Sequence, residues 1–164
     1  KRNIKELIKA AKDLKRPYPY KFIGADLKGM DMSGYDPTKD GSLSFSKINL
    51  EGVNLEGANL SGLILEKVNL RNANLQGAIL RNANLRGTDL KGADLSEAYL
   101  GWADLTNADL RGADFRVAEG WCIFVGAKIN SKPVTINGIE YKKTMLSAGP
   151  SPRPPRFGKR KRTK

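Results

Sequence analysis

From Phe45 to Phe115 a large apolar residue falls at every fifth position: Phe45, Leu50, Leu55, Leu60, Leu65, Leu70, Leu75, Leu80, Leu85, Leu90, Leu95, Leu100, Leu105, Leu110 and Phe115. Two places before each stands a small or β-branched residue in most units, with Ala at 58, 73, 78, 83, 93, 98, 103, 108 and 113. The place between is usually Asn or Asp, and Gly often follows two places after the leucine, as at Gly52, Gly57, Gly77 and Gly92. A period of five matches neither the 3.6 of a helix nor the 2.0 of a strand, so neither element keeps these leucines on one face. The chain must turn every five residues. If each unit is a short extended piece followed by a bend, Leu and the residue two before it point inward and the other three face out. Gly and Asn suit the bends because they tolerate positive φ. Such units wind into a coil around a leucine column, and successive coils stack at about 4.8 Å.

This A-(N/D)-L-x-(G/x) unit resembles that of the pentapeptide-repeat family. The resemblance covers residues 43–117 in full register and 20–34 in a shifted one, where Phe22, Leu27 and Met32 are five apart and Ala25-Asp26-Leu27 repeats the motif. It implies an all-β fold, a right-handed quadrilateral β-helix in which about four units close one coil and residues about 20 apart stack. Met32 and Phe45 are 13 residues apart, not a multiple of five. The segment near 34–42, with Gly34, Pro37 and Gly41, is therefore expected to project as a loop. Before Ala73 the residues two before each leucine are mostly larger (Leu43, Ile48, Val53, Leu63, Val68), which suggests a wider or differently packed first coil.

Both ends carry candidate caps for a solenoid that would otherwise offer unpaired backbone to another molecule. Residues 3–16 place Ile4, Leu7, Ile8, Ala11 and Leu14 at helical spacing, with Asn3 as N-cap and Pro17 as stop. Lys5, Lys9, Lys12 and Lys15 face the other way. The favoured reading is a capping helix on the first coil; a basic helix lying on an anionic membrane or on nucleic acid is the alternative. After Phe115 the strict repeat fails. An apolar run, Gly120 to Val125, leads to Ala127-Lys128-Ile129, a last degenerate unit, and to Thr135–Tyr141, a hairpin signal with Asn137-Gly138 at the turn. The expected organisation is a basic amphipathic helix at 1–17, the β-helix at 18–117, a C-terminal cap at 118–146 and a disordered basic tail at 147–164. With a cap present, end-to-end dimerisation, which the resemblance makes possible, is not indicated.

Charge sharpens the picture. The 164 residues carry 29 Lys plus Arg against 17 Asp plus Glu, a formal +12. Residues 1–21 hold +6 and 142–164 hold +9, whereas 43–117 sum to −1. The rod is nearly neutral and its ends are basic. Residues 147–164 contain no acid and cannot bury enough apolar area to offset ordering. Arg153, Arg156, Lys159, Arg160, Lys161 and Arg162 offer six cations within ten residues for phosphate neutralisation, and a polyanion is the expected partner. A tail that only confers solubility is the plainer alternative, and Pro152-Arg153-Pro154-Pro155-Arg156 also fits a PxxP-type ligand, weakly. No apolar run reaches the roughly 18–20 residues needed to span a bilayer as a helix. With no His and one Cys, Cys122, this chain alone supplies no disulfide, Cys/His zinc site or histidine base, and no metal or cofactor is expected. Cys122 reads as a buried small apolar residue rather than a nucleophile. The first residue is Lys1, so a processed or trimmed product is expected, and compartment stays open.

Under the family geometry the outward residues form columns. Arg71, Lys91 and Arg111, with Glu51 before them, share one column beside Asn49, Asn69, Asp89 and Asp109. It reads either as a basic ladder for phosphates or carboxylates or, with more weight, as a solvated face that Asp neutralises. Ile79, Tyr99 and Trp102 should point outward on another face, with Ile64 on the adjoining one. That cluster needs a cover, either a protein partner or the chain's own N- or C-terminal segment. Asp94 with Asp114, and Asp89 with Asp109, would stack in pairs, but no base, nucleophile or pocket stands near to make a hydrolase of them.

The leading expectation is a non-enzymatic structural or interaction protein: a rigid β-helical docking module in a larger assembly, such as a virion or ribonucleoprotein, with basic termini on a polyanion. A free-standing RNA- or DNA-binding module is the alternative. The resemblance also implies a third possibility, a DNA-mimicking topoisomerase binder, but such a protein resembles an acidic rod, and a net cation would be repelled from a DNA-binding saddle.

Overall fold

The computed structural model describes residues 20–21, 27–30, 48–130, 134–136 and 139–141. The expected helix at 3–16, loop near 34–42 and tail at 147–164 lie outside the described residues. Among those described there is no helix, hence none long and apolar enough to cross a membrane.

From residue 49 the position before each leucine pairs in parallel with the residue 20 further on: Asn49 with Asn69, Asn54 with Asn74, Asn59 with Ile79, Ile64 with Asn84, and so on to Asp94 with Asp114. Four five-residue units therefore close one coil, and the molecule has four faces. Each face is bonded in both directions along the axis. On one of them the Leu55 N–H donates to the Asn74 carbonyl at 2.7 Å and the Asn74 N–H donates to the Val53 carbonyl at 2.9 Å.

Between faces the chain turns tightly. The Val53 N–H closes on the Leu50 carbonyl at 3.1 Å, and Ala78 on Leu75 at 3.0 Å, the bond that defines a β-turn. The third residue of each turn, two places after the leucine, is left-handed. Glycine serves at 52, 57, 62, 77, 87, 92 and 112, but Lys67, Asn72, Asn82, Glu97, Trp102, Asn107 and Val117 take φ between 53 and 62° without being glycine.

The Asn or Asp before the leucine has a different task from the one expected of a bend residue. It sits in the bridged position, and its Oδ1 accepts the backbone N–H two residues on: Asn49 from Glu51 at 3.0 Å, Asn74 from Gln76 at 3.0 Å, Asp94 from Ser96 at 2.9 Å and Asp104 from Thr106 at 2.9 Å. This Asx turn satisfies an amide at the corner that no neighbouring coil reaches.

Inside, Leu55 to Leu100 are at most 2% exposed, interleaved with equally buried Val53, Ala58, Leu63, Val68, Ala73, Ala78, Ala83, Ala93 and Ala98. Each enclosed leucine contributes about 2 kcal/mol of transfer free energy. Thr88 is the polar member of this interior, and its hydroxyl donates back to the Leu85 carbonyl at 2.7 Å, so nothing polar is left unmatched there.

The strands β1 (Tyr20–Lys21) and β2 (Ile48–Asn49) pair in parallel, Tyr20 with Ile48 and Lys21 with Asn49. That register is 28 residues against the usual 20, a surplus of eight. The same surplus separates Met32 from Phe45, 13 places apart where the repeat needs five. Leu27 and Met30 are buried and Gly29 is left-handed at φ 64°, so the shifted register is a true unit of the coil.

At the other end the coil passes residue 117, where the sequence pattern stops, and runs on to Lys128. Tyr99 pairs with Glu119 at the usual 20, but Asp104 pairs with Ile123 and Asp109 with Lys128 at 19. One residue has been lost at one corner. Cys122, Phe124, Ala127 and Ile129 take the inward places, all buried. The contraction centres on Gly120, at φ 115°, where a Cβ would meet the Gly101 backbone and stand 2.7 Å from the Leu100 carbonyl carbon. Only glycine fits so close a backbone approach. The strands β3 (Val134–Ile136) and β4 (Ile139–Tyr141) then form an antiparallel pair, with Thr135 opposite Glu140. Val134 and Ile136 join the same apolar cluster, and Val134 lines a cavity of about 300 Å³ with Leu110, Ala113 and Phe115.

Two substitutions test this backbone. Val117 is β-branched, left-handed and 76% exposed, so Val117→Gly should stabilise by about 1 kcal/mol and raise the thermal midpoint by roughly 2–4 °C. Gly120→Ala should cost about 2 kcal/mol or more by overpacking, and an unchanged midpoint would contradict the contracted corner.

Candidate docking surface

The column of Arg71, Lys91 and Arg111 forms where expected, at the second residue of three stacked turns, and it interleaves with Asp89 and Asp109 on the bridged positions. Arg71 Nη1 lies 3.7 Å from Asp89 Oδ2, Lys91 Nζ lies 3.2 Å from both Asp89 Oδ2 and Asp109 Oδ2, and Arg111 Nη2 lies 2.7 Å from Asp109 Oδ2. The five side chains make a zigzag of alternating charge down one face. Asp109 is the most enclosed of them, at 8% exposure. Hydrogen bonds from the Arg111 side chain and backbone, together with Lys91, outweigh its desolvation and hold its carboxyl well below the usual carboxylate range. The geometry is that of self-neutralisation.

The stacked pair Asp94 and Asp114 is likewise committed to the turns. Asp94 Oδ1 accepts the Ser96 N–H at 2.9 Å, and Asp114 accepts Arg116 Nε at 2.8 Å, which lowers its pKa. Among the described residues no group of three or more His, Cys, Asp and Glu is placed to hold a metal ion. Cys122 is buried in the inward place of the contracted unit, and burial pushes its thiol pKa up, away from the reactive thiolate.

Ile79 and Tyr99 occupy bridged positions on the face that runs Asn59, Ile79, Tyr99, Glu119. They replace the Asn or Asp of the motif, so the Arg81 and Gly101 amides lack the Asx acceptor, as does the Glu66 amide after Ile64. Ile79 is half-buried, whereas Tyr99 is 40% and Trp102 64% exposed. Ile64, on the next face, is also exposed. Trp102 is the left-handed residue of the corner joining these faces. Its N–H donates to the Trp121 carbonyl, and the Ile123 N–H donates to the Ala103 carbonyl, so the contraction removes the residue that would have stacked over Trp102. The result is a groove of about 280 Å³ lined by Arg81, Asn82, Tyr99, Gly101, Trp102, Glu119 and Gly120.

Sequence reasoning found Tyr99, Trp102 and Ile79 but missed Arg81, Asn82 and Glu119. The signal was present at Gly120, the first place where glycine stands in the leucine beat. Exposed Val117 and Ile123 were also missed. Arg153, Arg156, Lys159, Arg160, Lys161 and Arg162 lie outside the described residues.

A four-sided coil of stacked parallel bridges with a leucine interior defines a β-helical solenoid. Its repeat segment belongs to the pentapeptide-repeat family, whose fold is the right-handed quadrilateral β-helix: the pentapeptide-repeats pattern matches in 8 copies over residues 48–87 and 83–118. Among solved structures the chain is similar to HetL, a pentapeptide repeat protein involved in heterocyst differentiation regulation from the cyanobacterium Nostoc sp. strain PCC 7120. The two are 26% identical with a TM-score of 0.51, over 75% of this chain and 52% of that one. It is also similar to a pentapeptide repeat protein from the Arabidopsis thaliana thylakoid lumen, 32% identical over 55% of this chain and 59% of that one, TM-score 0.43. A second Nostoc PCC 7120 pentapeptide repeat protein is 28% identical over 78% of this chain and 96% of that one, TM-score 0.46. The chain thus spans little more than half the length of HetL and of the Arabidopsis protein. No curated protein sequence matches it.

Asp109→Asn tests the charge zigzag. A depressed folded-state pKa contributes stability that is present above the unfolded carboxylate value near 3.9 and is lost as pH falls through the folded one. The variant should be about 1–2 kcal/mol less stable at pH 7, and the difference should shrink as pH drops below about 4. Denaturant unfolding at several pH values reads this, and a constant difference down to pH 2 would refute it.

Proposed function

We propose that the chain is a non-catalytic docking module: a rigid β-helical spacer that presents the Ile79, Tyr99, Trp102 surface to a protein partner while its basic termini hold a polyanion, RNA or DNA, within a larger assembly. The observation that carries this reading is the convergence of three local sacrifices on one surface. Ile79 and Tyr99 each forgo a turn hydrogen bond worth about 1 kcal/mol. Trp102 adopts a left-handed backbone at a further cost of roughly 1–2 kcal/mol while leaving most of its ring in solvent. Stacking of Ile79 on Tyr99 offsets part of the first. Nothing in the packing offsets the second, and strained aromatic residues of this kind are characteristic of binding surfaces.

The remaining parts fit the same role. The antiparallel pair β3–β4 and the helix expected at 3–16 would close the two ends of the coil against stacking on other copies. Arg71, Lys91 and Arg111 already hold Asp89 and Asp109, so the polyanion falls to the tail residues Arg153, Arg156, Lys159, Arg160, Lys161 and Arg162. The mixed charge of the rod disfavours a DNA mimic.

Binding of a single-stranded RNA oligonucleotide at increasing salt tests the tail. With six phosphates neutralised, log affinity should fall against log salt with a slope near −4, and a chain ending at Gly149 should lose at least about tenfold in affinity at low salt. Trp102→Gly should not weaken this binding. Undiminished binding by the truncated chain would remove the tail from the mechanism.

A further inference from the structure

The groove beside Trp102 has a chemistry that selects its occupant. Its lining carries the Arg81 guanidinium, the Asn82 amide, the Tyr99 hydroxyl, the Trp102 indole N–H and the Glu119 carboxylate. Among the described residues none of these five side chains makes a hydrogen bond or ion pair, although four of the five bear donors. Two of the donors sit on aromatic rings. Such a surface suits a chain that is rich in carbonyl acceptors, poor in N–H groups and able to lay flat rings against aromatic planes. A polyproline segment is that ligand, since its carbonyls are unpaired, its prolines lack N–H, and it loses little entropy on binding. Glu119 adds a preference for a nearby cation. Because Arg81 offsets that charge, the aromatic and carbonyl contacts carry the recognition.

The most proline-dense stretch of the chain is Pro152-Arg153-Pro154-Pro155-Arg156, with three prolines in five residues against two in Arg16-Pro17-Tyr18-Pro19-Tyr20. We infer that the segment from Pro152 to Arg156 docks, within the same molecule, in the groove formed by Arg81, Asn82, Tyr99, Trp102 and Glu119. The inference rests on the reading of the Tyr99 and Trp102 surface as a docking face and names what occupies it when no partner is bound. The geometry permits it. The last described residue, Tyr141, pairs with Val134, which lines a cavity with Leu110 and Phe115 of the coil that also contributes Gly101 and Trp102. Residues 142–151 can extend about 33–36 Å, and one five-residue face is at most about 17 Å long, so the segment can pass along two faces. Proline–aromatic packing would then bury the Trp102 ring, and a partner for this surface would have to displace the chain's own tail.

The indole N–H resonance of Trp102 reports on this directly. In the full chain and in one ending at Gly149, the Trp102 signal should differ, while the backbone amide signals of Leu55 and Leu75, away from the groove, serve as the internal reference. A synthetic peptide of residues 150–157 added to the truncated chain should move the Trp102 signal back toward its full-length position. Trp102→Gly, at a corner where glycine is favoured, should keep the fold, as the Leu55 and Leu75 signals will show, and weaken peptide binding by about tenfold or more. An unchanged Trp102 signal on truncation overturns the inference, as does a peptide that fails to shift it. A full-chain signal that varies with protein concentration also overturns it, because docking would then be between copies. The Trp102 signal is read without RNA and the RNA titration draws also on Lys159, Arg160, Lys161 and Arg162, so either result can fail while the other stands.

Discussion

A left-handed backbone residue recurs at every fifth position from Gly52 to Val117, and the other features of the coil follow from it. A right-angled corner every five residues lets four short extended pieces close into a coil of 20, and only that closure brings each leucine over the one 20 residues before it. If the corners relaxed to ordinary extended or helical backbone, the inward residues would diverge, and neither the leucine column nor the axial ladder would form. The core and the hydrogen bonds are thus two consequences of one dihedral constraint. The fold enforces it strongly enough to hold Lys67, Glu97, Trp102 and Val117 in a conformation that L-residues ordinarily avoid.

The second condition is satisfaction of the corner amides. The Asx bonds from Asn49 to Asp114 explain why the motif wants Asn or Asp and why the two interchange freely, since only Oδ1 is used. That freedom lets the surface be tuned without touching the core. Where Asp replaces Asn at 89 and 109, it meets Lys91 and Arg111 and the face becomes self-neutralising. Where Ile79 and Tyr99 replace it, the face becomes apolar and the corner amide is left to other means. Departures from the motif are therefore informative because the motif itself has a known job.

Much of the architecture was legible in the residues. The period of five, the inward leucines, the outward columns, the buried Cys122 and the β3–β4 pairing all follow from spacing and turn chemistry. The offset between Met32 and Phe45 equals the eight-residue surplus in the pairing of Tyr20 with Ile48, while the loop expected near 34–42 lies outside the described residues. Less legible was the end of the coil. The motif stops at Phe115, yet Cys122, Phe124, Ala127 and Ile129 continue it with one residue fewer, because any small residue followed two places later by a large apolar one can fill the inward positions. The reading of Asn as a bend residue holds at some places and leaves out its commoner one, because turn propensity does not say which of five places a residue will take. Asn72, Asn82 and Asn107 do occupy the bend, but the recurrent Asn and Asp lie before the leucine.

The groove beside Trp102 marks the limit of what can be read along the chain. Alternation of residue types determined by itself that the chain must turn every five residues, which side chains go inside, and that Tyr99 and Trp102 go outside. It did not place Arg81 and Asn82 beside Glu119 and Gly120, because those residues are brought together by stacking across two coils and by the loss of one residue at a single corner. A periodic sequence specifies its own coil through local dihedrals and burial, which act within a few residues. Where two coils fall out of step, the contact depends on the cumulative register of everything between them, and only the folded structure decides it.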